Sequence, residues 1–162
     1  MRLQIAPLSL VLPCIAAQWH ANVPLETRSL DEIYAAAKKE AGNNSQPLQI
    51  AWGGDAGQQG NGVRQAWKQR FPDIPLNLTV DLSKFHNGRI DKAFYQGEHY
   101  ADIAFLQTLQ DFPRWKTQNR LLYHKPAEFN DIFNGEKDPD GAWLGLFNCM
   151  TMLTMYVHSD DN

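Results

Sequence analysis

Cysteine is scarce in this chain, and its placement excludes a disulfide framework. Of the two cysteines in 162 residues, Cys14 lies in an apolar N-terminal run that reads as a removable leader, which leaves Cys149 without a partner in the same chain. A buried thiol is the expected state of Cys149, with pairing between chains as the alternative. Long apolar runs are missing as well. The leader run, Leu3 to Ile15, falls short of the about 20 residues that a membrane-spanning helix needs, so no membrane insertion is expected. Positive charge is not in excess either: 15 basic residues stand against 18 acidic ones. Without a basic stripe to neutralise a phosphate backbone, nucleic acid is not expected as a partner.

Catalytic and metal signatures are equally sparse. No G-x-S-x-G turn is present, and no Lys-[ST] pair closes the one glycine-rich loop as a phosphate-binding loop would require. The five histidines, His20, His86, His99, His124 and His158, lack the i, i+4 pairing and acidic companions of a helix-borne zinc site. No metal and no cofactor is expected. The nearest approach to a nucleophile and base is Ser83 with His86 three residues on. A loop and helix cap accounts for that stretch better, and a secreted hydrolase is kept as the alternative function. A further alternative is an inert product or an interaction module using Trp52, Trp67 and Trp115, although their spacing puts these rings mostly in a core.

What is present begins with a secretory pattern. Arg2, the apolar run and Ile15-Ala16-Ala17 read as a signal peptide over residues 1–17, so the protein is expected outside the cell, or in the periplasm of a bacterium. Residues 18–28 read as a flexible linker. Asn43-Asn44-Ser45 and Asn77-Leu78-Thr79 are glycosylation sequons. Asn43, just past a predicted helix end, is the favoured acceptor, and Asn77 lies in a predicted strand.

The first folded element announces itself at Ser29-Leu30-Asp31-Glu32, a capping box. Leu30, Ile33, Tyr34, Ala37 and Ala41 follow at helical spacing, and Gly42 is placed to stop the helix. Leu48 to Trp52 reads as a strand ending at Gly53-Gly54. A loop without bulky side chains then leads to a helix in which Val63, Ala66, Trp67 and Phe71 share a face. Leu76, Leu78, Val80 and Leu82 alternate strictly, as in an edge strand. A third helix is expected near Gly88 to Gly97, with Ile90, Ala93 and Phe94 inward. The continuous run Ile103 to Leu106 reads as a strand buried on both faces. Leu109, Phe112 and Trp115 suggest a short helix limited by Pro113, and Tyr123 to Gly141 a long surface connection. Strands alternating with helices define an α/β protein with a mainly parallel sheet flanked by helices.

This order of motifs resembles the extracellular solute-binding proteins of ABC importers, in the group with iron(III)-, thiamine- and phosphonate-binding members, and their secreted fungal relatives. The residues that carry the resemblance are Leu30 to Glu40, then the first strand ending at glycine, then Ala66-Trp67 to Phe71-Pro72-Asp73-Ile74-Pro75, then Tyr100 to Ala104, and Asp138 to Leu146. It implies a type II periplasmic-binding-protein-like fold of two α/β lobes with a small-molecule or ion ligand between them, residues 29–147 being part of the first lobe. In open α/β sheets such a ligand lies outside the carboxyl ends of the strands. The matching positions are Gly53, Gly54, Asp55, Ala56 and Gly57 after the first strand, with Gln107 and Thr108 after the third. A glycine loop allows close approach, and free N–H groups at the next helix start favour an anion. Asp55 favours a cation or an amine, so the charge of the ligand stays open.

After Leu146 the sequence leaves the family pattern, and residues 148–162 form a divergent tail. The expectation is an incomplete first lobe, from a truncated product, that is marginally stable and self-associates through an uncovered sheet edge.

Overall fold

A computed structural model describes residues 23–43 and 46–146. The signal peptide, the tail from residue 148, Cys14, Cys149, His20 and His158 lie outside the described residues.

The fold is α/β. Among the described residues four α-helices, α1 (Leu30–Asn43), α2 (Asn61–Arg70), α3 (Ser83–Gln96) and α4 (Asp111–Thr117), accompany β1 (Leu48–Gly53), β2 (Leu76–Asp81) and β3 (Ile103–Phe105). The three strands are parallel in the order β2-β1-β3. Because the chain leaves β1 for one side and returns from β2 to the other, right-handed crossovers put α2 and α3 on opposite faces. The contacts agree. A Cβ on Gly60, at the start of α2, would lie 2.6 Å from Leu78, on the face shared by Ile50 and Leu78, whereas α3 reaches the Gly53 face through Ser83.

The capping box forms as its sequence predicts. The Ser29 N–H donates to the Glu32 carboxylate at 2.7 Å and the Glu32 N–H to Ser29 Oγ at 3.3 Å. The bond from the Ser29 N–H foremost, and then one from the Ser29 hydroxyl at 2.8 Å, hold the Glu32 carboxyl below its usual range. The helix continues through Gly42 to Asn43 instead of stopping at the glycine. Within the expected linker, Leu25 pairs with Lys125, and the Glu26 N–H donates to the Lys125 carbonyl at 2.8 Å.

Three expectations are corrected. The strand at the centre is β1, with Ile50 and Ala51 buried, while β3 is a short edge strand whose Ile103 is 39% exposed. A continuous apolar run registers hydrophobicity on both faces, but sheet order decides which strand is flanked. The third helix starts at Ser83, five residues before Gly88, because the Leu82 carbonyl accepts the N–H groups of Phe85 and His86. It ends as expected at Gly97, whose φ of 68° closes the helix in the left-handed region. Ala93 is buried, but Phe94 lies half exposed beneath the Arg120 guanidinium, 4.0 Å from its ring centre. Finally, the stretch from Tyr123 to Gly141 is anchored. Phe129, Lys137 and Asp138 are buried, Lys137 donates to the Phe129 carbonyl at 2.7 Å, and Lys116 clamps Asp138 and Asp140 at 2.6 and 2.7 Å.

The outer edge of β2 is partly closed. Carbonyls of Pro75 and Asp81 bond to β1, so by the alternation of a parallel strand the Leu78 carbonyl faces away from it. Arg64 Nη2 donates to that carbonyl at 2.8 Å, while Nη1 holds Gly57 O and Asn61 Oδ1. An edge acceptor is thereby capped by a charge, which discourages strand addition. Arg64→Ala should cost about 1–2 kcal/mol in a urea melt and raise light scattering at equal concentration. An unchanged scattering profile would remove the edge-capping role.

Candidate functional site

The carboxyl ends of the strands meet at one junction built around Ser83. A Cβ on Gly53 would fall 2.2 Å from Ser83 Oγ and 3.1 Å from the Phe105 carbonyl oxygen, so the end of β1 is glycine because α3 and β3 close in on it. Ser83 is buried, and its hydroxyl accepts the Gln107 N–H at 2.9 Å and donates to Gln107 Oε1 at 3.4 Å. Gly53 and Gln107 are thus brought together. Gly53→Ala should cost about 1–3 kcal/mol through overpacking, measured by chemical denaturation. A neutral substitution would return Gly53 to the role of a mere loop residue.

Asp55 and Ala56 are organised around Gln59 instead, while the Gly57 carbonyl accepts from Arg64 Nη1 at 3.2 Å. Gln59 Oε1 accepts the N–H groups of Asp55 and Ala56 at 2.9 and 3.4 Å, and Gln59 Nε2 donates to Asp55 Oδ1 at 2.8 Å. The Gly54 N–H donates to the Asp81 carbonyl at 2.9 Å. A side chain on Gly54 would meet Gln59 Oε1 at 2.3 Å. The backbone donors of Gly54, Asp55 and Ala56 are therefore already bonded. Asp55 is exposed, and its second carboxylate oxygen makes no bond among the described residues. Gln59, which organises this loop, was not singled out in the sequence. An amide three or four residues after a Gly-Gly-Asp turn, close enough to reach back to it, was the available signal.

Thr108 turns from β3 into α4. Its Oγ1 is buried without a hydrogen-bond partner among the described residues, as is Oδ2 of Asp111, a residue only 2% exposed. The Thr108 carbonyl accepts the Asp111 N–H at 3.1 Å, which fixes the turn.

The Ser83 and His86 pair does not assemble as nucleophile and base. His86 is fully buried, with Nδ1 2.9 Å from the Tyr100 hydroxyl and Nε2 3.2 Å from the Trp52 carbonyl. A carbonyl only accepts, so Nε2 carries the proton and Nδ1 receives one from Tyr100. Burial above all pushes the imidazole pKa down from 6.5, opposed by the Trp52 carbonyl and aided by the charge of Arg89.

Of the two sequon asparagines, Asn77 is exposed on β2, donating to Gln49 Oε1 at 2.6 Å. Asn43 is the last residue of α1, and Asn44 and Ser45 lie outside the described residues. Among the described residues no group of three His, Cys, Asp or Glu side chains is placed to hold a metal ion, and no helix is long and apolar enough to cross a membrane.

No family model and no curated protein matches this chain.

Proposed function

We propose that the chain is the first lobe of a secreted solute-binding protein of the periplasmic type, holding a small ligand over the carboxyl ends of its strands. The observation that carries this reading is the convergence of Gly53, Ser83 and Gln107 at one end of a parallel sheet, the end at which open α/β sheets hold ligands. Asp55 offers a free carboxylate oxygen beside backbone N–H groups, those of Gly54, Asp55 and Ala56, that are occupied. The ligand is accordingly one that presents hydrogen-bond donors or positive charge, such as an amine or a thiamine-like cation, rather than a bare oxyanion.

A thermal-shift screen of the secreted protein against thiamine, simple amines, ferric chelates, phosphate and phosphonates tests this, because a ligand that binds the native state raises its melting temperature. A rise with a cationic ligand, abolished in Asp55→Asn, is the expected result. A flat response throughout, or a response to phosphate that Asp55→Asn leaves intact, counts against the proposal. Glycosylation at Asn77, read from a mobility shift on enzymatic deglycosylation that is lost in Asn77→Gln, would support secretion through a eukaryotic pathway.

A further inference from the structure

At the opposite end of β2 a groove runs between α2 and the turn that enters the strand. It encloses about 280 Å³ and is walled by Trp67, Phe71, Ile74 and Leu76, with Arg64 and Lys68 at its rim. We propose that this groove binds an amphiphilic carboxylate, with the chain or ring against Trp67 and the carboxylate on Lys68.

The polar groups around the groove leave one role unfilled. Trp67 Nε1 is bonded to the Ile74 carbonyl at 2.9 Å, so the indole lies fixed, its ring 4.8 Å from that of Phe71. Arg64 commits three of its five N–H donors to Gly57, Asn61 and Leu78, which holds its positive charge in place. Lys68 is exposed and bonds to nothing among the described residues. No acidic residue lines the groove. The nearby acids are engaged on the α1 side, Asp73 with Lys38 and the Tyr34 hydroxyl, and Asp31 with Arg70. Apolar walls with two cations and no anion at the rim complement a ligand with an apolar body and one negative end. A neutral amphiphile leaves that charge unanswered, and a cationic one is repelled. This site lies at the amino end of β2, away from the carboxyl ends of the strands, and does not depend on the solute-binding reading.

Titrating the full chain with octanoate, octan-1-ol and octylammonium, by calorimetry and by tryptophan fluorescence, tests the proposal. Octanoate should saturate the protein and change its fluorescence. Trp67→Phe should lose the optical response while calorimetry still detects binding, and Lys68→Gln, at an exposed position that leaves the fold intact, should weaken octanoate binding at least tenfold. Octan-1-ol should bind at least tenfold more weakly than octanoate, and octylammonium more weakly still. Absence of saturation by octanoate, equal affinity for octan-1-ol, or an affinity unchanged in Lys68→Gln overturns the proposal.

Discussion

Replacing Asp91 with alanine should lower the unfolding free energy by about 3 kcal/mol, the low end of what breaking a buried ion pair costs. Asp91 projects from α3 and ties down the segment from α4 to Arg120. Its Oδ1 accepts Trp115 Nε1 at 2.9 Å and Arg120 Nη1 at 2.6 Å, and its Oδ2 pairs with Arg114 at 2.9 Å. Desolvation raises the carboxyl pKa, but the bonds from Arg114, Trp115 and Arg120 outweigh it and hold the group below its usual range. Without the carboxylate, the indole N–H of a tryptophan only 2% exposed has no acceptor. Arg120, with 4% of its side chain exposed, keeps only Gln118 Oε1 and the Ile90 carbonyl as hydrogen-bond acceptors. The low end of the range applies because the Asp91 side chain is 23% exposed. Asp91→Asn, which can still accept from Trp115, should fall between the two proteins. A urea melt followed by tryptophan fluorescence and by helix content reads both effects. A loss under about 1 kcal/mol for Asp91→Ala would mean that water replaces the carboxylate at little cost and that the network does not anchor α4.

None of that network was legible in the sequence, whereas the elements it joins were. The capping box at Ser29, the alternation in β2 and the stop at Gly97 are local signals, written within a few residues of the structure they specify. Asp91 meets Arg114, Trp115 and Arg120 across 23 to 29 positions, and nothing in an isolated aspartate on a helix announces those partners. The same limit governs the candidate site. Gly53 was read as a glycine that admits a ligand, because a strand ending in Gly-Gly suits close approach. In the folded chain the approach is made by Ser83, from a stretch whose local composition signals only a loop and helix cap. A related limit applies to the loop's backbone donors, which look free until a side chain such as Gln59 is seen to reach back and take those of Asp55 and Ala56. Sheet order was the third non-local quantity. Ile103 to Leu106 has the composition of a central strand, yet the crossover after β2 carries β3 to the far side of β1 and leaves it at an edge.

His86 should give the protein an acid-labile fold, and His86→Ala should remove that lability at a cost of about 3 kcal/mol at neutral pH. The cost follows from position. The imidazole is fully buried between α3 and the end of β1, so truncation opens a cavity, takes the acceptor from the Tyr100 hydroxyl and removes a donor from the Trp52 carbonyl. The pH dependence follows from linkage. The folded-state pKa of His86 lies below its ordinary 6.5, chiefly through burial, so between those two values the unfolded chain binds a proton that the folded chain does not. Stability from this group is fully present above pH 6.5 and is lost as pH falls through that value toward the folded pKa. Protonation would also turn Nδ1 from acceptor into donor, setting it against a Tyr100 hydroxyl that already receives Arg89, and would place a second positive charge beside that arginine. The carboxyls held below their usual range, Glu26, Glu32, Asp81, Asp91 and Asp140, have ordinary values of 4.5 or less. Their contribution is lost only at lower pH, so a loss of stability that sets in just below 6.5 is not theirs. Urea melts at pH 7.5, 6.5 and 5.5 should therefore show falling stability in the parent chain and a flatter profile in His86→Ala. Parallel profiles in the two proteins would show that the folded imidazole takes up its proton as readily as the unfolded one, and any acid lability would then have to be sought in another group.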